Sequence, residues 1–187
     1  MQIDDTAIAD VKVITPRRFA DPRGFLAEWH NETTLRALGI DLDFRQDNLS
    51  RSARRGTVRG MHFQLAPLPQ TKLVGVMAGR VLDVALDIRL GSPTYLRHVA
   101  VELSAERGNQ LLVPEGFAHG FCTLTDEALV FYKLTAPYSA AHDSGIYWAD
   151  PALGIDWPVR EGDAILSDKD RALPRLDAAK PPFRYAA

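Results

Sequence analysis

Three short segments of this chain carry side chains that can move protons or face a developing negative charge. The first is Arg59-Gly60-Met61-His62-Phe63-Gln64. In extended backbone His62 and Gln64 share a face, because side chains alternate along a strand. An imidazole exchanges protons near neutrality, although a lone strand histidine also serves as a plain hydrogen-bonded residue. The second is Gln70-Thr71-Lys72-Leu73-Val74, in which Lys72 opens a strand and alternates with Val74 and Val76. Such a lysine is either a solvated strand end or a cation held beside an oxyanion. The third is Val130-Phe131-Tyr132-Lys133, with Tyr132 on one face together with Ala128, Val130 and Leu134. That pattern suits a core tyrosine with its hydroxyl at the rim, and equally a proton donor. A fourth segment, Ser167-Asp168-Lys169-Asp170, is a polar turn that by itself says little. Arg23 lies in Asp21-Pro22-Arg23-Gly24, and Arg45, Arg51, Arg54, Arg55 and Arg59 crowd a short stretch. Arg54-Arg55 reads as a solvated loop. Arginines so gathered can also hold a small diphosphate through bidentate contacts. No phosphate-binding Walker loop, nucleophile elbow or Cys-x-x-Cys pair is present, and His30, His98 and His142 read as structural.

The elements that must position these groups are short. The 187 residues suit one domain with its own core, and a 46% hydrophobic, 25% charged composition excludes wholesale disorder. A net charge of −2 and the lack of an interleaved basic and aromatic stripe argue against nucleic acid. No stretch reaches the roughly 18 apolar residues of a membrane span. The aspartate-bearing start, Met1 to Asp10, does not read as a signal peptide. The single cysteine, Cys122, excludes an intrachain disulfide and points to a reducing, cytoplasmic setting. Strands are expected at 11–15, 24–29, 99–103, 110–113, 117–124 and 128–134. A hairpin or tight corner at Ala78-Gly79 is expected to join strands 71–77 and 80–88. Along the latter Leu82, Val84, Leu86 and Ile88 fall on one face, Asp83 and Asp87 on the other. Asn31 to Leu38 is the best helix, capped by Asn31 and ended by Gly39. Turn signals about every ten residues indicate an all-β barrel or sandwich. After Pro137, tryptophans, tyrosines and prolines suggest packed coil with short helical turns.

His62, Gln64 and the later His119, in Pro114-Glu115-Gly116-Phe117-Ala118-His119-Gly120, together resemble the metal motif of cupin barrels, with Gln64 in place of a second histidine. Two histidines and an amide are a poor ligand set, which frees His62 to act as a base. The segments in order resemble the dTDP-4-dehydrorhamnose 3,5-epimerase family. They are 21–25 (Asp-Pro-Arg-Gly-Phe), 46–50 (Gln-Asp-Asn-Leu-Ser), 58–64, 70–74 and 79–84 (Gly-Arg-Val-Leu-Asp-Val). The set continues through 114–121, 132–133, 155–158 (Ile-Asp-Trp-Pro) and 166–170. Met61 and Gly56-Thr57 are small departures that touch no chemical role.

The resemblance implies an all-β, cupin-like β-barrel (jelly roll) with short peripheral helices. It implies one epimerase domain over 1–187, its barrel core at about 45–135, with N-terminal strands and C-terminal coil packed around it. It implies a homodimer, no metal and no organic cofactor, and as substrate a dTDP-linked 4-keto-6-deoxyhexose inverted at carbons 3 and 5. By position His62 resembles the base, Asp170 its orienting partner, Lys72 the enolate stabiliser and Tyr132 the acid. Arg23, Phe25, Glu28, Gln46, Asn48, Arg59, His119 and Tyr138 resemble substrate contacts, and Asp83 another site residue. The strand at 11–15 is expected to offer an edge to a partner's sheet. Competing readings are an epimerase acting at carbon 3 or carbon 5 alone, a cupin-like sugar-binding module without catalysis, and a metal-dependent cupin enzyme. The joint presence of His62, Lys72, Tyr132 and Asp170 weighs against the second and Gln64 against the third.

Overall fold

The computed structural model describes residues 1–176 and 183–185. Two antiparallel sheets dominate it. One has six strands in the order β1 (Gln2–Asp5), β2 (Lys12–Thr15), β11 (Gln110–Val113), β7 (Lys72–Ala78), β13 (Ala128–Leu134) and β5 (Gln46–Ser52). The other has five, in the order β10 (His98–Ser104), β8 (Arg80–Asp87), β12 (Phe117–Thr123), β6 (Val58–Gln64) and β14 (Asp143–Gly145). A separate hairpin pairs β3 (Arg18–Asp21) with β4 (Gly24–Ala27), and β15 (Phe183–Arg184) lies parallel to β9 (Arg89–Leu90). The two sheets are the all-β architecture that the turn spacing indicates, in the cupin-like jelly roll that the family resemblance implies.

Strand alternation decides which side chains meet inside. Val74 and Val76 of β7, Val130 of β13, Val81 and Ala85 of β8, and Phe117 and Phe121 of β12 form one buried cluster between the sheets. Asp83 has the same parity as Val81 and Ala85, so the aspartate face of β8 is the inner one. Lys72, His119 and Tyr132 likewise share the parity of inward-facing neighbours. The opposite face of β8 and β6 (Val84, Leu86, Met61, Phe63) packs under Leu153, Ile155, Trp157, Leu176 and Phe183 from the C-terminal segment. On the other sheet, Ile14, Leu73 and Leu112 are covered by Leu35 of α1 (Glu32–Ala37). Leu35 is 2% exposed, a burial worth about 2 kcal/mol. Asn31 caps that helix by accepting from the Thr34 N–H at 2.9 Å, as its position predicts.

Of the two alternatives for residues 71–88, the structure has the tight corner and not the hairpin, and two further expectations change. Gly79, with φ of +74°, turns a corner that sends β7 into one sheet and β8 into the other. The strand at 11–15 is not an edge, since β2 lies between β1 and β11. The extended stretch from Gly24 ends at Ala27 and pairs only with β3, which the residue pattern did not indicate.

Candidate active site

His62 sits on β6, on the five-stranded sheet, directly opposite His119 of β12. The two strands approach so closely that a Cβ on Gly60 would lie 2.5 Å from the Gly120 Cα; glycine at both positions permits the contact. The imidazole Nε2 of His62 donates to Asp170 Oδ1 at 2.5 Å. Asp170 comes from α2 (Asp168–Arg171), whose N-cap Ser167 receives the Asp170 N–H at 3.1 Å and donates its hydroxyl to Asp170 Oδ2 at 2.9 Å. Burial raises the Asp170 pKa. The bonds from His62 and Ser167 and the charge of Lys169 outweigh that and hold it below the ordinary carboxylate value. A carboxylate fixed on Nε2 leaves His62 Nδ1 as the free, basic nitrogen.

Lys72 and Tyr132 come from the opposite sheet. Tyr132 lies on β13 between Asn48 of β5 and Val74 of β7. Lys72 is 8% exposed, and its ammonium donates to the His62 carbonyl at 3.2 Å across the interior. Burial brings its pKa down to about 8, against the opposing pull of Asp83 and then Asp143. Behind His119, the fully buried Asp83 accepts from its Nε2 at 2.9 and 3.1 Å. Burial also lowers the His119 pKa, against the opposing pull of Asp83.

These groups line a cavity of about 650 Å³ together with Asn48, Ser50, Arg59, Phe121, Ser167, Lys169 and Asp170. His62, Lys72, Tyr132, Asp170, Asn48, Arg59 and His119 are thus brought together as the sequence indicated. Asp83 stands behind the wall. Gln46 braces Asn48 (2.8 Å) and receives the Tyr138 N–H (2.8 Å), while the exposed Tyr138 donates its hydroxyl to Asp143 at 3.0 Å. Arg23, Phe25 and Glu28 do not line the cavity; Arg23 and Phe25 are exposed on the β3–β4 hairpin and Glu28 just beyond it. Lys169, ion-paired with Asp143, and Ser167 were not foreseen as site residues, although they flank Asp170 in the same tetrapeptide. Asp143 carries no local signal; the pairing of Asp143 with Gln64 on β6 brings it there. The hydroxyl of Ser50, a cavity-lining residue, is buried without a hydrogen-bond partner among the described residues.

Gln64 is committed elsewhere. Its amide donates to the Leu68 and Pro137 carbonyls, and its carbonyl accepts from the Ser139 N–H. Among the described residues no three His, Cys, Asp or Glu side chains converge as a metal-ligating group.

Residues 5–178 match the family model described as dTDP-4-dehydrorhamnose 3,5-epimerase. The chain belongs to that family. The protein of that name from Sinorhizobium fredii is 50% identical over 185 residues, 99% of this chain and 94% of its own length. The crystal structure of the Bacillus anthracis epimerase, with TDP and pyrophosphate bound, superposes with a TM-score of 0.91 at 50% identity, covering 94% of this chain and 99% of that one. A Legionella pneumophila epimerase, crystallised with dTDP-4-keto-L-rhamnose, gives 0.93 at 43% identity, covering 100% and 99%. The epimerase described here is therefore an isomerase that inverts two carbons of a keto sugar, and its cavity is built for acid–base work.

Proposed function

We propose that this epimerase converts dTDP-4-dehydro-6-deoxy-D-glucose to dTDP-4-dehydro-L-rhamnose by proton removal and return through an enolate, with His62 as base and Tyr132 as acid. One observation carries the assignment: His62 and Tyr132 stand on opposite sheets, facing the same cavity. Inversion needs a proton taken from one face of the sugar and delivered to the other, which a single group cannot do. His62 Nδ1 takes the proton beside the 4-keto group. The electrons of the broken C–H bond move to the ketone oxygen, where the Lys72 ammonium meets the new charge. The Tyr132 hydroxyl then protonates the same carbon from the far side. His62 gives its proton to water and Tyr132 recovers one, so solvent hydrogen enters the product. Asp170 holds the imidazole in the required tautomer. Arg59, with Asn48 and Ser50, lies where a diphosphate-linked nucleotide supplies the remote binding energy that clamps the sugar.

The 1–187 chain works in this reading as one epimerase unit and as a homodimer. Arg23 and Phe25, which resemble substrate contacts, lie outside the cavity of their own chain, on a hairpin whose Phe19, Phe25 and Leu26 are 51%, 57% and 73% exposed. A second copy gives that hairpin a surface to cover and a cavity to complete. The buried Cys122, its thiol pushed up to about 11, and the charge balance suit the cytoplasm. No described helix is long and apolar enough to cross a membrane.

The direct test is incubation with the 4-keto sugar nucleotide in heavy water, followed by NMR. Deuterium at carbons 3 and 5 of an L-configured product is expected. Inversion without solvent deuterium would refute exchange through water-accessible His62 and Tyr132.

A further inference from the structure

The cavity and its wall hold four carboxylates, and three of them have cationic or catalytic partners: Asp47 is ion-paired with Lys133. Asp170 serves His62, and Asp143 is ion-paired with Lys169 and accepts from Tyr138. The fourth, Asp83, is 0% exposed, and its one side-chain hydrogen-bond partner among the described residues is His119, whose charged form burial disfavours. A carboxylate sealed inside a protein with only a neutral partner is costly unless a cation faces it. The candidate is Lys72, which lines the same cavity as His119, is itself buried, and among the described residues makes one side-chain hydrogen bond, to a neutral carbonyl. Lys72 shares the cavity with His119 of β12, His62 of β6, Tyr132 of β13 and Lys169 and Asp170 of α2, and the charges of Asp83 on β8 and Asp143 on β14 act on it from the wall. Of the carboxylates, Asp83 acts on it most strongly.

We propose that Asp83 is a positioning residue for the enolate-stabilising cation: anchored by His119, its carboxylate is the counter-ion that keeps Lys72 charged inside a dry pocket. The site then divides its two histidine–carboxylate pairs between two tasks. His62–Asp170 handles the proton, and His119–Asp83 maintains the cation. A contact with the sugar is not required of Asp83. Its distance from the reacting carbons is an advantage, because its charge supports Lys72 without opposing the enolate at close range. The inference rests on the assignment of Lys72 to the ketone oxygen.

Asp83→Asn removes the charge and keeps an oxygen for the His119 N–H. With lysine labelled at 13Cε, and the Lys72 resonance assigned by its loss in Lys72→Met, the titration of Lys72 is read directly. In Asp83→Asn it should fall by about one pH unit or more, and the alkaline limb of kcat/KM should move down with it. At pH 8 kcat should drop about tenfold, with KM within about threefold of wild type. Asp83→Glu should restore most of the limb. A Lys72 titration unmoved in Asp83→Asn overturns the proposal. If the titration moves while the rate profile does not, the coupling of Asp83 to Lys72 stands and the enolate role of Lys72 falls. Should Asp83→Asn not fold, the wild-type spectrum decides: a Lys72 resonance already neutral at pH 7 overturns the proposal, and a charged one sustains it.

Discussion

Tyr132 is the residue at which removal and delivery of the proton can be separated. Tyr132→Phe leaves His62, Asp170 and Lys72 in place, so the enolate still forms. The proton can return only from the side it left. The variant should therefore take up deuterium at carbon 3 or 5 while giving little epimer, with inversion down by about 10² or more. One NMR time course reports isotope content and configuration separately. Inversion at the wild-type rate would reduce Tyr132 to a wall residue. Lys72 makes a second prediction, in pH. Its folded pKa, about 8, is depressed from 10.5, so the folded protein sheds this proton before the unfolded chain does. Activity should fall as pH rises through about 8, because the neutral amine no longer meets the enolate. At neutral pH the same residue is a liability to the fold, since burial penalises its charge. Lys72→Met should abolish exchange, and because it relieves the buried ammonium while leaving Asp83 without its counter-ion, thermal stability should rise by clearly less than the roughly 3 kcal/mol that the depressed pKa alone implies. A lower melting temperature than wild type would show that the neighbouring carboxylates need Lys72 more than burial penalises it.

At the scale of the element, α2 shows how a site can hang on very little structure. It is a single turn, Asp168–Arg171, far too short to be stable alone. It is held by its cap, and that cap is also the second ligand of the catalytic carboxylate: Ser167 both receives the Asp170 N–H and donates to Asp170 Oδ2. Ser167→Ala removes both bonds. About 1 kcal/mol of stability should go with the cap. The larger effect should be on kcat, since Asp170 loses the hydroxyl that fixes its orientation toward His62. A hydrogen–deuterium exchange profile unchanged at 168–171, together with a wild-type kcat, would refute this coupling. The same element marks the limit of what the residues alone reveal. Strands β11 and β13 were readable to the residue because alternation is local. The face shared by Lys72 with Val74 and Val76, and by Tyr132 with Val130, was readable for the same reason, but not which face turns inward. Ser167–Asp170 carries no periodicity, so only the family resemblance tied Asp170 to a residue more than a hundred positions earlier. Lys169 and Asp143 were missed because their meeting depends on β14, a three-residue strand that exists through its pairing with β6. At Gly79 the residues left hairpin and tight corner both open, because a positive-φ glycine between two strands is common to both, and only tertiary packing chooses.

At the scale of the molecule, the β3–β4 hairpin belongs to neither main sheet and is tied back chiefly through Arg18, which donates to the carbonyls of Ala105 and Glu106. An isolated hairpin of two four-residue strands is marginal in water. Its exposed Phe19, Phe25 and Leu26 add an unfavourable apolar surface, and among the described residues Arg23 at its tip is paired only with Asp21. All of these features have one resolution if the hairpin seats on a second copy and presents Arg23 and Phe25 to that copy's cavity. The state in solution should then be about twice the 20.7 kDa chain mass, measured by light scattering. Trans contribution has a sharper signature. Arg23→Ala spoils the site that receives the hairpin, and His62→Ala spoils the site of its own chain, so each homodimer should be weak. Co-expressed, the two variants form mixed dimers in which one cavity has an intact His62 and receives an intact Arg23 from the partner. With random pairing half the dimers are mixed and each carries one whole site of two, so activity should recover to roughly a quarter of wild type. If Arg23 instead serves its own chain, every site in the mixture lacks one residue or the other. The co-expressed sample would then show no more than the average of its parents, and the hairpin would need another explanation.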